Sequence, residues 1–180
     1  MGMIQQTHRD LIVTPCLRNV LDNAMNRMGL PRPVSGTRRL FISRLSLTRS
    51  GAYRGLIQEE SLIGEMIARG FEIIEPEKLS FREQVNLFRQ ASVVVGLGGA
   101  GMFNCIFCPT NSKVISVEST VEFAPWHANL FASCGLEYGI VFGEPDPEDA
   151  SPFQKRWLLR LGEALAGIDS MLARWGFEIK

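Results

Sequence analysis

The stretch Val93-Val-Val-Gly96-Leu-Gly98-Gly99-Ala-Gly101-Met102 reads as a strand, a tight turn and the start of a helix. Glycine lets a ligand approach the backbone closely, and the first amides of a following helix present N–H groups and partial positive charge to whatever sits there. A phosphate is the natural occupant. Gly96, Gly98 and Gly101 also satisfy GxGxxG, and Glu118 ends the next strand where a ribose-binding acid would fall, so a dinucleotide is the rival occupant. Against the rival, the motif follows the third predicted strand, Pro109 cuts the helix short, and only two strands remain. A third explanation needs no ligand, because tight turns select glycine by themselves.

Arginine is the second chemical signal. Between Asn23 and Gln58 stand Arg27, Arg32, Arg38, Arg39, Arg44, Arg49 and Arg54, with no acid among them. They surround the first predicted strand and the loop at its carboxyl end, the edge where parallel α/β sheets bind ligands. Any single arginine is as well explained by a solvated surface. Arg44, Arg49 and Arg54 share one loop, which points to an anion, since the planar guanidinium makes paired, charge-assisted bonds to phosphate.

Other candidates carry less. Cys105-Ile-Phe-Cys108 is a CxxC at the end of an apolar helix, whereas redox pairs favour helix N-termini, so buried packing is the better reading. Zinc would need paired ligands, and His8, His127, Cys16 and Cys134 are scattered, so no metal is expected. His127 fits a base, a ribose contact or a plain surface histidine, and Glu122 an acid of the same kind or a solvated one. GxSxG and Walker A lysine motifs are missing, which removes the common hydrolase and P-loop readings.

The elements around these residues alternate. A helix from about Arg9 to Met28 stops at Gly29-Leu-Pro31. Strand Arg39–Ser43 follows, then a Gly/Ser/Arg-rich loop through Gly55, a helix over Ile57–Ile67 closed by Gly70, and strand Phe71–Ile74. Ser80 caps the next helix with Glu83 as capping-box partner. Then come strand Ser92–Val95, the glycine turn, a short helix to Phe107, strand Lys113–Val117, a helix around 123–134 and strand Tyr138–Phe142. An acidic, proline-rich tether, Glu144–Pro152, leads to a helix expected over Phe153–Phe177, whose broad apolar stripe suits core packing or a homodimer. The alternation predicts an α/β doubly wound, Rossmann-like sheet of about five mostly parallel strands with helices on both faces. Residues 1–37 form a helix and linker, 38–143 the ligand-binding domain, and 144–180 the tether and a helix packing on the same domain.

The whole chain fits this frame. It has 180 residues, 46% of them hydrophobic and 21% charged, a globular composition of single-domain size. The net charge of zero gives no overall field to draw it to nucleic acid or an anionic membrane. Four scattered cysteines make no disulfide framework, and MGMIQQTHRD shows no basic n-region followed by an apolar one. A cytoplasmic protein without a membrane span is expected.

Ile42-Ser-Arg44, the arginine loop, the helix with Glu59-Glu60, Gly70-Phe-Glu-Ile-Ile-Glu-Pro-Glu-Lys-Leu-Ser80, Glu83-Gln84, Ala91, Gly96-x-x-Gly99-Ala-Gly101-x-x-Asn104-x-x-Phe107-x-Pro109 and Val117-Glu118 together resemble glycosyltransferase family 61, the capsular-polysaccharide and xylosyltransferase-like enzymes. The similarity runs from about Arg38 to Glu118. It implies one lobe of a GT-B-like enzyme, the C-terminal, donor-binding one, which moves a sugar from a nucleotide diphosphate sugar to a saccharide acceptor without an essential metal or other cofactor. By that resemblance Arg44 faces the diphosphate and Gly99, Ala100 and Gly101 form the phosphate-facing turn; Gly98, just before them, and Arg49 and Arg54 of the arginine loop are further candidates for the diphosphate. Asn104, Gln84 and Glu118 match recurrent positions near the nucleotide or ribose, and no catalytic residue is assigned. Two positions depart from the pattern: Gly98 stands where the family commonly has histidine, and Gln58 where an asparagine often precedes the helix glutamate. A complete two-lobed enzyme would need roughly twice this length. An NAD(P)-binding oxidoreductase fragment and a non-catalytic nucleotide-sugar-binding module are the alternatives.

Overall fold

A computed structural model of the chain describes residues 16–30, 35–51, 54–119, 124–150 and 156–178. Helix α1 (Cys16–Arg27) leads to β1 (Arg38–Ile42), the short α2 (Leu45–Arg49), α3 (Glu59–Ala68) and β2 (Glu72–Ile74). A 3-10 turn at Pro76–Lys78 precedes α4 (Phe81–Phe88) and β3 (Ala91–Leu97). A 3-10 helix, Ala100–Phe107, connects β3 to β4 (Lys113–Glu118), followed by α5 (Ala124–Ser133) and β5 (Glu137–Phe142). The chain closes with β6 (Glu144–Pro145), β7 (Trp157–Leu158) and α6 (Leu161–Arg174).

The first five strands form one parallel sheet in the order β2-β1-β3-β4-β5. This is the expected doubly wound α/β architecture. Because successive side chains point to opposite faces, each inner strand feeds two cores. Leu40, Ile42, Val94 and Val114 meet α1, α4, the 3-10 helix and α5 through Met25, Phe88, Met102 and Phe131. Phe41, Val93, Val95, Ile115 and Val117 meet α3 and α6 through Leu62, Met66, Ile168 and Leu172. The chain leaves β1 for β2 on one side, then returns across the sheet to lay β3 along the other edge of β1. Loops after β1 and β3 therefore diverge, and a crevice opens between them at the carboxyl edge.

Local chemistry explains the boundaries. Ser80 Oγ accepts a hydrogen bond from Glu83 N while Ser80 N donates to Glu83 Oε2 at 2.7 Å, the expected capping box. The arginine loop is more ordered than its composition suggests: α2 forms because Leu45-Ser-Leu-Thr carries no breaker before Gly51, and Leu45 N finds Ser43 Oγ at 3.0 Å.

The terminal helix starts at Leu161, later than the sequence suggests, and Phe153 lies outside the described residues. Trp157 is drawn into a strand because its backbone is claimed from both sides. Its N–H donates to the Gly55 carbonyl at 3.1 Å and its carbonyl accepts from Ile57 N at 2.9 Å, while β6 pairs with β7 antiparallel. Trp157 Nε1 also donates to the Arg54 carbonyl at 2.8 Å, and Gln58 exchanges side-chain bonds with the backbone of Leu159. The C-terminal segment thus laces down the stretch that carries Arg54. Beyond it, Ala164, Ile168 and Leu172 of α6 are buried in the second core of the chain's own sheet. The N-terminal part of the expected first helix, before Cys16, lies outside the described residues. Among the described residues no helix is long and apolar enough to cross a membrane.

Candidate functional site

The crevice at the topological switch point holds a cavity of about 230 Å³. Ile42, Ser43 and Arg44 from the end of β1, Leu47 from α2, Pro76, Glu77 and Gln84 from the far side, and Leu97, Ala100, Gly101 and Asn104 from the glycine turn line it. Arg44 crosses the crevice: a Cβ on Gly99 would overlap its Nη1, so glycine there is what lets the guanidinium lie against the turn. Arg44 Nε is buried with no hydrogen-bond partner among the described residues. Burial lowers the Arg44 pKa, the nearby Arg54 cation lowers it further, and Glu59 and Glu77 oppose the shift. A partly desolvated cation with an unsatisfied donor beside a second cation can pair with an anion.

The turn supplies more donors. Met102 N bonds the Gly99 carbonyl at 3.0 Å as the first hydrogen bond of the 3-10 helix, so the Ala100 and Gly101 amides precede the first donor that the helix itself satisfies. Gln84 spends both amide hydrogens on the Pro76 and Leu79 carbonyls, at 2.9 and 3.0 Å, so only its oxygen is left for a ligand. Asn104 donates to the Gly101 carbonyl at 3.2 Å and faces the same cavity.

Beneath Arg44 lies Glu59, only 1% exposed. Its Oε1 accepts from Ser43 Oγ at 2.8 Å and from Arg44 N at 2.6 Å, while Oε2 is buried without a partner among the described residues. Burial raises its pKa, against the pull of those bonds. Glu59 therefore fixes the backbone turn from which the Arg44 side chain departs.

A family model for Glycosyltransferase 61 matches residues 3–115, more than half of the chain, from before α1 into β4. The chain belongs to the glycosyltransferase 61 family. No curated protein matches it closely enough to add a named relative. The family is one of transferases, and the match includes both Arg44 and the glycine turn.

Within this glycosyltransferase 61 chain the three loop arginines separate. Arg44 lines the crevice. Arg54, the one non-glycine residue with positive φ among those described, at 64°, lines an adjoining cavity of about 190 Å³ with Gly99, Ala100, Phe103, Trp126 and His127. Arg49 points away and forms an exposed ion pair with Glu60. Glu118 lines neither cavity; it is buried under Gly98, where a Cβ would overlap its Oε2, and contacts Ser116 Oγ and His127 Nδ1. That overlap gives a geometric reason for glycine at 98. His127 is buried, not at the surface. Glu122 lies outside the described residues.

Ser43, Glu59 and Glu77 lie within the stretches that resemble the family, yet sequence reasoning gave none of them a part in the site; Glu59 was legible also as the first acid after the seven-arginine run. Cys105 and Cys108 are buried in the first core, and burial followed by their mutual proximity pushes the Cys105 thiol up, the opposite of a reactive cysteine. Among the described residues no group of three or more His, Cys, Asp or Glu side chains could hold a metal ion.

Proposed function

We propose that this member of the glycosyltransferase 61 family binds a nucleotide diphosphate sugar in the β1/β3 crevice and acts as the donor-binding lobe of a GT-B-like enzyme. The transferred sugar goes to a saccharide hydroxyl, in cytoplasmic polysaccharide biosynthesis, without an essential metal or other cofactor. The observation that carries the reading is the Arg44 guanidinium, laid on Gly99 with its Nε unsatisfied, beside the leading amides of the 3-10 helix. These donors converge from two segments at the switch point, where doubly wound sheets bind nucleotides.

In the reaction the acceptor oxygen attacks the anomeric carbon, the bond from that carbon to the diphosphate oxygen breaks, and the nucleoside diphosphate leaves with the electron pair. Negative charge grows on the diphosphate as the bond breaks. Donors already aimed at that charge in a partly dry crevice lower the barrier, typically by about 3 kcal/mol for one well-placed donor. Arg44 and the Ala100 and Gly101 amides take this role, with Arg54 at the side facing the adjoining cavity. The wall of Pro76, Glu77, Gln84 and Asn104 suits the nucleoside, and Glu77, which lines the cavity, suits a ribose hydroxyl better than the buried Glu118. The base that takes the acceptor proton belongs to the acceptor side.

Calorimetric titration with UDP, GDP and NAD tests the reading. A nucleoside diphosphate is expected to bind more tightly than NAD. Arg44→Ala is expected to lose roughly ten- to a hundredfold in affinity, the value of a charge-assisted bond of about 1.5–3 kcal/mol. Unchanged affinity in a folded Arg44→Ala protein refutes the site.

A further inference from the structure

Glu118 and His127 make a buried pair that the proposed transfer chemistry does not use. His127, 4% exposed, projects from α5, and its Nδ1 lies 2.6 Å from Glu118 Oε1 at the end of β4. Its Nε2 lies 3.3 Å from the Gly99 carbonyl oxygen. Phe131 stacks on the ring at 11° with centroids 5.9 Å apart, and Phe103 leans against it at 5.6 Å. Glu118 is itself held by Ser116 Oγ. The other charged groups nearby are Arg54, which shares a cavity wall with the ring, and Arg44, across Gly99.

The Gly99 carbonyl oxygen can only accept, so that contact is a hydrogen bond only when Nε2 carries hydrogen, while one hydrogen shared between Nδ1 and Glu118 Oε1 makes the other. With both nitrogens occupied the ring has none left for a reacting group, and its leverage falls on the Gly99 carbonyl. That carbonyl and the Ala100 N–H belong to one planar peptide unit and point in opposite directions. Holding the oxygen on the His127 side directs the Ala100 N–H away from the ring, and donation to the oxygen polarises the peptide and strengthens its N–H as a donor. Met102 N uses the second lone pair of the same oxygen, so the peptide plane is fixed twice.

We propose that His127, oriented by Glu118, is a positioning residue for diphosphate binding: it clamps the Gly99 carbonyl so that the Ala100 amide stays aimed at the anion. The inference rests on the reading of the glycine turn as a diphosphate site. It is tested with inorganic pyrophosphate as titrant on the full chain, with stability measured in parallel. In His127→Gln the amide nitrogen can occupy the place of ring Nε2 and keep the bond to Gly99. In His127→Asn it can replace only Nδ1 and keep Glu118. His127→Gln is expected to hold pyrophosphate affinity within about threefold of wild type and His127→Asn to lose up to about tenfold, the worth of one hydrogen bond.

Equal affinity in all three proteins overturns the inference, as does loss that follows unfolding free energy instead of the retained contact. Arg44→Ala in the same series separates the two failures. Loss there with none in His127→Asn sinks only the positioning role; no loss in either, or no pyrophosphate binding by wild type, sinks the diphosphate reading with it. Should His127→Asn fail to fold, long-range nitrogen–proton spectra of the wild-type complex decide. Hydrogen on Nε2, bonded to the Gly99 carbonyl, supports the clamp, and a bare Nε2 overturns it.

Discussion

Replacing Glu59 separates its two functions, as acceptor and as charge. In the folded chain its Oε1 receives Ser43 Oγ at 2.8 Å and Arg44 N at 2.6 Å. Glu59→Ala leaves both donors without an acceptor in a buried place, at about 1–3 kcal/mol each, so a loss of about 2–4 kcal/mol is expected after partial rescue by water. Glu59→Gln keeps an acceptor oxygen and removes the buried charge, so it is expected to cost at most about 1 kcal/mol at neutral pH. The two variants also differ in their pH response. Because burial raises the folded-state pKa of Glu59, the folded protein holds this proton more tightly than the unfolded chain does. The resulting stability is fully present below the unfolded carboxylate pKa and is lost as pH rises through the folded one. Urea unfolding of wild type and Glu59→Gln at several values from pH 4 to 8 should therefore show wild type gaining on the variant as pH falls, all other groups cancelling. If Glu59→Ala unfolds within about 0.5 kcal/mol of wild type, or if the difference between wild type and Glu59→Gln is flat with pH, Glu59 is not the buried acceptor described here.

Two further substitutions probe the frame. Gly98→Ala is expected to destabilise by about 1–3 kcal/mol in guanidinium unfolding, because the new methyl overlaps Glu118 Oε2 and that carboxylate is already held by Ser116 and His127. Leu172→Ala, at a fully buried position of α6, should cost about 2–5 kcal/mol in a single cooperative transition; a negligible cost would mean that α6 is not part of the second core.

The strands were the most legible part of the fold. Ser92-Val-Val-Val95 and Lys113-Val-Ile-Ser-Val117 are apolar on both faces, and only a strand covered on both sides has that requirement. Ser80 and Glu83 announced their helix because a capping box is local chemistry. The C-terminal region was not legible in the same way. Trp157 carries an apolar side chain at helical spacing with Leu161 and Leu165, yet its backbone is claimed by Gly55 and Ile57, residues far away in the chain. Helix α2 was hidden by a composition that looks like a loop.

Among the residues of the proposed site, the places of Arg44 and the glycine turn at the carboxyl edge were legible because they follow strands, and general rules about helix starts and sheet edges fix such positions. Arg49 and Arg54 could not be sorted by sequence, since the direction of a loop side chain depends on what surrounds it, here Glu60 for Arg49 and the His127 cavity for Arg54. Glu118 looked like a ribose acid for the same reason: its place at a strand end is visible, but its burial under Gly98 is not.

The sequence by itself determined the alternation of elements, the parallel sheet, and a glycine turn and an arginine each placed at a strand end, because hydrophobic period, glycine and charge act over a few neighbouring residues. Tertiary structure alone decided that these two meet. The strand order β2-β1-β3-β4-β5 places the ends of β1 and β3 side by side, laying the Arg44 guanidinium on Gly99, and brings α5 over the end of β4 so that His127 finds Glu118. Contacts of that kind follow from how cores close on both sides of a sheet, and no local pattern encodes them.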